Sequence, residues 1–434
     1  MTRQSGLGRF LLLAGLAYAL LFLGLISLQG GPLALALPLV VYLIATLIHR
    51  PPHIELTAER SLSQDTVAQN TPVVVTVTVR NPGQALDEVF IEDHLPDGLE
   101  LLDGKTTLLT SLPAGATAEL RYTVRPPRGV YYLREVRVSA SDHLGVLQER
   151  AALPAAARIL AMPEVVRVRK VAIRPPRTHG HFGPIPSRQA GSGVDFYGLR
   201  DYQPGDPRRW INWRASARHE QDLFINQFER ERIADVGIIL DARQQSNILL
   251  PNGSSLFEYS VQAAGSISGA LLEDGNRVGL LIYGFGVERT FPGYGKVQQE
   301  RILRALGMAR TGHNFALESL GYLPTRFFPA GSQIVMVSPL MISDVPAFMQ
   351  LRACGYEVLV VSPDPVDFEA RYLRVRGDLA WQLARDERAL LLRKLQRMGV
   401  RVLDWPVDQP FEPLVRANLS RPAPGLRPLL RRLT

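Results

Sequence analysis

One cysteine in 434 residues, Cys354, rules out an internal disulfide and any zinc site built on several thiolates. No G-x-x-x-x-G-K-[ST] occurs, and Gly293-Tyr294-Gly295-Lys296 lacks the spacing and the hydroxyl of a phosphate-cradling loop. A G-x-S-x-G elbow is missing too: Gly265-Ser266-Ile267-Ser268-Gly269 sets its serines at the wrong positions, inside a helical pattern. Two strongly basic stretches also lack acids. Val165 to Ala190 carries six cations (Arg167, Arg169, Lys170, Arg174, Arg177, Arg188), and Pro413 to Thr434 carries five (Arg416, Arg421, Arg427, Arg431, Arg432). The formal net charge of +8 therefore belongs to a linker and a tail, while the remainder is mildly acidic. That distribution argues against a nucleic-acid-binding face.

Long apolar runs occur only near the start. Phe10 to Leu28 is uncharged over 19 residues, enough to span a bilayer core as a helix, and Pro32 to Ile48 adds 17 more. A cleaved signal peptide has a shorter apolar core and no second span close behind it, so a membrane hairpin over 1–50 is the better reading. Arg3 and Arg9 precede it, His49 and Arg50 follow it, and Gln29-Gly30-Gly31 between is uncharged. The positive-inside rule then predicts both ends, and the soluble domains, in the cytoplasm of a plasma or inner membrane.

From Ile54 to Met162 the pattern has period two. Val73, Val75, Val77 and Val79 alternate with Val74, Thr76, Thr78 and Arg80, as Leu120, Tyr122 and Val124 do with Arg121, Thr123 and Arg125. Turn signals recur at Asn81-Pro82-Gly83, Pro96-Asp97-Gly98 and Pro113-Ala114-Gly115. Short strands so punctuated predict an all-β, immunoglobulin-like sandwich over 54–162, with nothing catalytic in it. A Pro-rich basic linker is expected over 163–190.

Gly191 to Glu231 stands apart. Arg200, Asp201, Arg208, Arg209, Arg214 and Arg218 are interleaved with Phe196, Tyr197, Tyr202, Trp210 and Trp213. Pro204-Gly205 signals a turn, Asp206 is placed to cap a helix, and Pro207 suits its first position. Two readings stand side by side: the arginines pair internally over packed aromatics, or some of them face a partner.

The spacing of Gly193, Phe196, Leu199, Arg200, Tyr202, Gly205, Asp206, Arg209, Ile211, Trp213, Ser216, Ala217 and Arg218, before a strand ending in Asp241, resembles the signature of the domain-of-unknown-function 58 family (DUF58). The resemblance implies an order of two membrane helices, β-sandwich, signature (191–233) and a von Willebrand factor A-like α/β domain (234–412), followed by a basic tail (413–434). It makes Arg200, Asp201, Tyr202, Asp206, Arg209, Trp213, Ser216 and Arg218 the candidate binding residues. It also implies a MoxR-type AAA+ ATPase as protein partner, in chaperone-like maturation or cell-envelope work.

After Ala234 the residues themselves read as α/β. Strands are expected at Val236–Leu240, Val278–Tyr283, Ile334–Val337, Val358–Val361 and Val400–Leu403, with helices at Phe257–Leu272, Val297–Met308, Val345–Ala353 and Ala384–Met398. Alternation of this kind predicts a doubly wound, mostly parallel sheet, whose ligands bind beyond the carboxyl ends of the strands, at Asp241, Ser338 and Ser362.

The von Willebrand resemblance makes one demand: metal-binding members place Asp-x-Ser-x-Ser after the first strand, because Mg²⁺ needs an oxygen shell. Here Asp241 is followed by Arg243 and Gln245 in place of both serines, the threonine near Thr311-Gly312-His313 is displaced, and Pro339 stands where a later aspartate is needed. A guanidinium beside Asp241 can replace the cation, so neither metal nor cofactor is expected. His179 and His181 lack a third ligand; Asp364 and Asp367 read as loop acids, and Asp386-Glu387-Arg388 as a solvated helix face. The expected function is a membrane-anchored, non-enzymatic interaction protein. The alternatives are a module binding anionic lipid through linker and tail, and a hydrolase using Asp195, Asp201 or Asp206.

Overall fold

The computed structural model describes residues 7–28, 30–48, 54–141, 148–173, 175, 185–218, 222–317, 319–324 and 327–420. His179, His181 and the arginines beyond residue 420 lie outside them, as do the side chains of Asp195, Phe196 and Tyr197. The chain divides into two compact units, Met1–Met162 and Pro163–Thr434.

The first unit opens with helices α1 (Leu7–Ser27) and α2 (Gly30–Ile48). Both are long and apolar enough to cross a membrane. Ser27 Oγ donates to the Leu23 carbonyl at 2.7 Å and Thr46 Oγ1 to that of Tyr42 at 2.8 Å, each within its own helix.

Nine strands follow: β1 (Thr57–Leu62), β2 (Thr66–Ala68), β3 (Val73–Arg80), β4 (Leu86–Asp93), β5 (Glu100–Gly104), β6 (Thr107–Leu112), β7 (Thr117–Arg125), β8 (Gly129–Ser141) and β9 (Gln148–Met162). They form a four-stranded sheet ordered β1-β3-β7-β5 and a five-stranded one ordered β2-β9-β8-β4-β6, around a single apolar core. The valine alternation of β3 turns one face inward, with Val73, Val75, Val77 and Val79 fully buried.

One ionic network crosses that core. Arg60 Nε donates to Asp93 Oδ2 at 3.2 Å, and its guanidinium also meets Asp93 Oδ1 and the Ala155 carbonyl. Tyr122 Oη donates to Asp93 Oδ2 at 2.6 Å, and burial together with that carboxylate pushes the phenol well above its usual range. Charges so enclosed persist only while paired.

In the second unit, strands β10 (Ile185–Asp201) and β11 (Phe224–Arg232) form an antiparallel ribbon. One short helix, α3 (Trp213–Ser216), lies between them in sequence. Next come β12 (Asp235–Asp241), α4 (Leu256–Glu273), β13 (Arg277–Tyr283), β14 (Val287–Gly293) and α5 (Gly295–Met308). The chain continues through β15 (Gln333–Val337), α6 (Val345–Ala353), β16 (Glu357–Pro363), α7 (Pro365–Leu373), α8 (Leu379–Arg397), β17 (Arg401–Trp405) and α9 (Phe411–Leu419).

Six of these strands make one sheet, ordered β14-β13-β12-β15-β16-β17, parallel except for β14. Both faces are covered. Along β12, Val236, Ile238 and Leu240 join a core with α4, α5 and α9, whereas Ile239 joins one with α6 and α8. A strand buried on both faces reads as a continuous apolar run, which is why the sequence displays these strands so plainly.

Three expectations need correction. The supposed linker 163–190 is not all linker: Val168, Val171 and Ile173 are buried in the α/β core, and Ile185 already begins β10. The supposed tail from residue 413 overlaps α9, whose Phe411, Val415 and Leu419 are buried. Asp364 is no loop acid but the N-cap of α7, accepting from Val366 N at 2.9 Å and Asp367 N at 3.3 Å ahead of Pro365 at the first position.

Removing the acid from the sandwich network tests its weight. Asp93→Ala, which strands the Arg60 charge, is expected to cost about 3–5 kcal/mol. Tyr122→Phe loses one hydrogen bond to a charged group, about 1.5–3 kcal/mol. Hydrogen exchange of the β3, β4 and β7 amides in the full chain reads both.

Candidate functional site

The carboxyl ends of the parallel strands converge on a guanidinium. Between β12 and β15 the strand order reverses direction, because β13 and β14 lie on one side of β12 while β15, β16 and β17 lie on the other. In doubly wound sheets such a reversal opens a crevice for ligands. Here Arg243 fills it.

Its Nε donates to Asp241 Oδ1 at 2.9 Å and its Nη2 to Asp241 Oδ2 at 2.8 Å. The opposite edge of the guanidinium reaches Asp344, Nη1 to Oδ1 and Nη2 to Oδ2, both at 2.9 Å. Ser338 Oγ donates to Asp241 Oδ2 at 2.7 Å, and Asp344 also accepts from Met341 N at 2.9 Å. Asp241 is 0% exposed and Arg243 2%. Burial opposes the arginine's charge, but its bonds and attraction to both carboxylates outweigh that and raise its pKa. The same burial lifts the Asp344 carboxyl, with Arg243 pulling against it.

The loop that carries Arg243 is held by close backbone approach. Ala242 N donates to the Tyr283 carbonyl at 2.7 Å, and Gln244 N to that of Gly312 at 3.2 Å. A Cβ on Gly284 would lie 2.2 Å from the Ala242 carbonyl carbon, so only glycine fits there.

A second guanidinium closes the neighbouring strand ends. Arg388 of α8 donates to the Pro339 carbonyl at 3.1 Å, to Ser362 Oγ at 3.0 Å and to Asp404 Oδ1 at 2.5 Å, and lies 3.3 Å from Asp364 Oδ1. It is buried, so reading 386–388 as a solvated face is corrected at Arg388. Asp241, Ser338 and Ser362 are indeed brought together at strand ends, and all three are sealed from solvent.

Around this seal the surface is open. Gln244 and Gln245 are exposed beside a cavity of about 190 Å³ lined also by Gly284, Gly312, His313 and Asn314. Phe285 and Phe315 stand at its edge, Phe315 84% exposed and packed against His313 with ring centroids 4.5 Å apart. Arg310 lies over the Phe285 ring at 5.1 Å. Sequence reasoning singled out Asp241, Arg243 and Gln245 but missed Asp344. Its one signal was its place just ahead of α6, in a stretch where the expected aspartate position held Pro339.

The ribbon divides the other candidates into two groups. Arg200 pairs bidentately with Asp206, Nη1 to Oδ2 and Nη2 to Oδ1, both at 2.6 Å. Asp206 also accepts from Gln203 N at 2.9 Å across the turn at Gly205, whose φ of 107° suits glycine. It therefore clamps that turn instead of capping a helix, and Pro207 is extended with only a 3₁₀ turn, Arg208–Trp210, after it. Ser216 is buried, donating to the Asn212 carbonyl and accepting from Phe224 N, each at 2.9 Å. Tyr202 is half-buried, its N–H donating to the Leu223 carbonyl at 2.7 Å. Asp201, Arg209, Trp213 and Arg218 face solvent.

Arg243→Ala would leave two buried carboxylates facing each other and is expected to destabilise the α/β unit by about 3–5 kcal/mol. Arg243→Lys should fall well short of rescue, since one ammonium cannot reproduce the two-sided fork. Adding Mg²⁺ or a chelator should leave the wild-type melting temperature unchanged. The Arg200 hydrogen bond, aided by Gln203 N, holds the Asp206 carboxyl below the usual carboxylate range. Its contribution is therefore present above the unfolded pKa of about 3.9 and is lost as pH falls through the lower folded value. Tryptophan fluorescence of the ribbon should change in that window, and Asp206→Asn should abolish the change.

Comparison with known proteins places these features. The chain is 29% identical over 253 residues, 57% of its length, to the uncharacterized protein YeaD of Bacillus subtilis (strain 168), and spans 60% of that relative. Among solved structures, the CARDB domain of the PF1109 protein from Pyrococcus furiosus shares 18% identity, covering 24% of this chain and 90% of that one at a TM-score of 0.18. A non-cellulosomal cohesin from Archaeoglobus fulgidus shares 15%, covering 24% and 92% at 0.18. Scores so low carry no argument about fold. The stretch 198–384, which holds the arginine–tryptophan run and all of the sheet except β17, matches the family described as protein of unknown function DUF58.

Proposed function

We propose that this protein is a membrane-anchored, non-enzymatic interaction module: a hairpin holds it at the bilayer, an immunoglobulin-like sandwich spaces it, and a von Willebrand factor A-like unit engages a protein partner without a bridging cation. One observation carries the reading, namely that Arg243 and its two carboxylates occupy the crevice where this sheet architecture ordinarily receives a ligand. A filled crevice ringed by exposed Gln244, Gln245, Phe285 and Phe315 favours docking over turnover, since exposed aromatics anchor protein interfaces. The partner we propose is an AAA+ ATPase of the MoxR type, on the cytoplasmic side.

A hydrolase using the ribbon acids is a weaker reading. Asp206 is held ionised by Arg200, a poor setting for a general acid. Binding of anionic lipid by the basic linker and tail is the other alternative; it draws on exposed Arg167, Arg169, Lys170 and Arg416, and on cations outside the described residues.

Affinity purification from mildly solubilised membranes tests the proposal. An AAA+ ATPase should co-elute, unaffected by chelator, and Phe315→Ala with Gln245→Ala should reduce its recovery several-fold. Chelator-sensitive recovery, or loss of the chain from the membrane fraction on alkaline washing, would contradict it.

A further inference from the structure

The run Pro207-Arg208-Arg209-Trp210-Ile211-Asn212-Trp213-Arg214-Ala215-Ser216-Ala217-Arg218 holds four arginines, two tryptophans and no acid. All four arginines are exposed, and Trp213 is 67% exposed. Arg208, Arg214 and Arg218 have no acidic partner among the described residues, and Asp206, the acid just ahead of the run, is already taken by Arg200. Arg209 lies 5.8 Å from the Trp210 ring centroid.

The run is not loose. Ile211 is buried and bridges to Ile225 of β11, Asn212 Oδ1 accepts from Ala215 N at 2.9 Å, and Asn212 Nδ2 donates to Asn226 Oδ1 at 2.8 Å. A framework so tied fixes the backbone from which the guanidinium and indole groups project, which lowers the entropic cost of docking.

We propose that Pro207 to Arg218 is an interfacial site for anionic phospholipid headgroups. Guanidinium groups match phosphate oxygens in a planar, two-bond geometry. An exposed indole beside them suits the headgroup layer, where an apolar body and a polar N–H both find partners. Lipid is favoured over a protein occupant because the same chain carries two helices apolar enough to cross a bilayer. Once these are inserted, the run meets that surface at the high effective concentration of a tethered group. The inference rests on the bilayer anchoring proposed above, but not on the protein partner, which is assigned to other residues.

The test uses the full chain in lipid nanodiscs, one set purely phosphatidylcholine and one containing phosphatidylglycerol, with hydrogen exchange read over 198–226. Exchange within 207–218 should slow on the anionic discs only, and this protection should vanish in about 0.5 M salt. Each Arg→Gln change among Arg208, Arg214 and Arg218 should weaken the contact about fivefold, and the triple variant should match the zwitterionic discs. Trp213→Ala should reduce protection without restoring salt insensitivity. Unchanged exchange of β11 shows that the variants remain folded. Equal exchange on both disc types overturns the proposal, as does protection that appears only when a cytosolic protein fraction is added. Failure of the chain to enter discs at all overturns the anchoring, and this inference with it.

Discussion

A single arginine between two buried aspartates governs the carboxyl end of the parallel sheet. Charges there have lost their water, so each depends on the others for its survival in the folded state. Arg243 reaches both Asp241 and Asp344 because a guanidinium offers two donor edges in one plane, a geometry that an ammonium lacks. The surrounding architecture follows. Gly284 lets the two loops touch, and the Ala242 and Gln244 amides fasten the arginine's loop to its neighbours. Ser338 supplies the remaining hydroxyl. Leu340, a non-glycine residue at φ 66°, holds an unfavourable conformation beside that hydroxyl, which accepts from its N–H at 3.0 Å.

The second arginine extends the same logic along the sheet. Arg388 sits under the loop that follows β15 and ties it to the ends of β16 and β17 through Pro339, Ser362, Asp364 and Asp404. Four neighbouring strand ends, β12, β15, β16 and β17, are thereby closed by two side chains arriving from different elements, a loop and a helix. What stays accessible is the rim outside them, where amides and phenyl rings meet solvent.

Much of this was legible in the residues. The strands of the large sheet are apolar on both faces and stand out as short hydrophobic runs; the expected segment Val278–Tyr283 differs from β13 by one residue. Arg243 two residues after Asp241 pointed to a guanidinium beside that carboxylate, and the two are paired. Long-range pairing was not legible. Asp344 lies 101 residues from Arg243, and Arg388 sits in a helix whose neighbours are charged and exposed, so local pattern alone places it on a wet face. Strand β14 was missed because Val287, Phe291 and their neighbours are exposed or half-exposed along a sheet edge and show no apolar run. In the ribbon, composition showed arginine and aromatic groups together but could not separate Arg200 and Asp206, which brace each other, from Trp213 and Arg218, which face outward.

The plug at the end of β12 differs from a bound ion in one respect that follows from its covalent attachment. A divalent cation exchanges with its surroundings, so its occupancy rises and falls with supply. Arg243 has no off-rate and does not lose its proton at any pH the folded chain survives. A surface built on it keeps one shape whatever the ionic composition nearby.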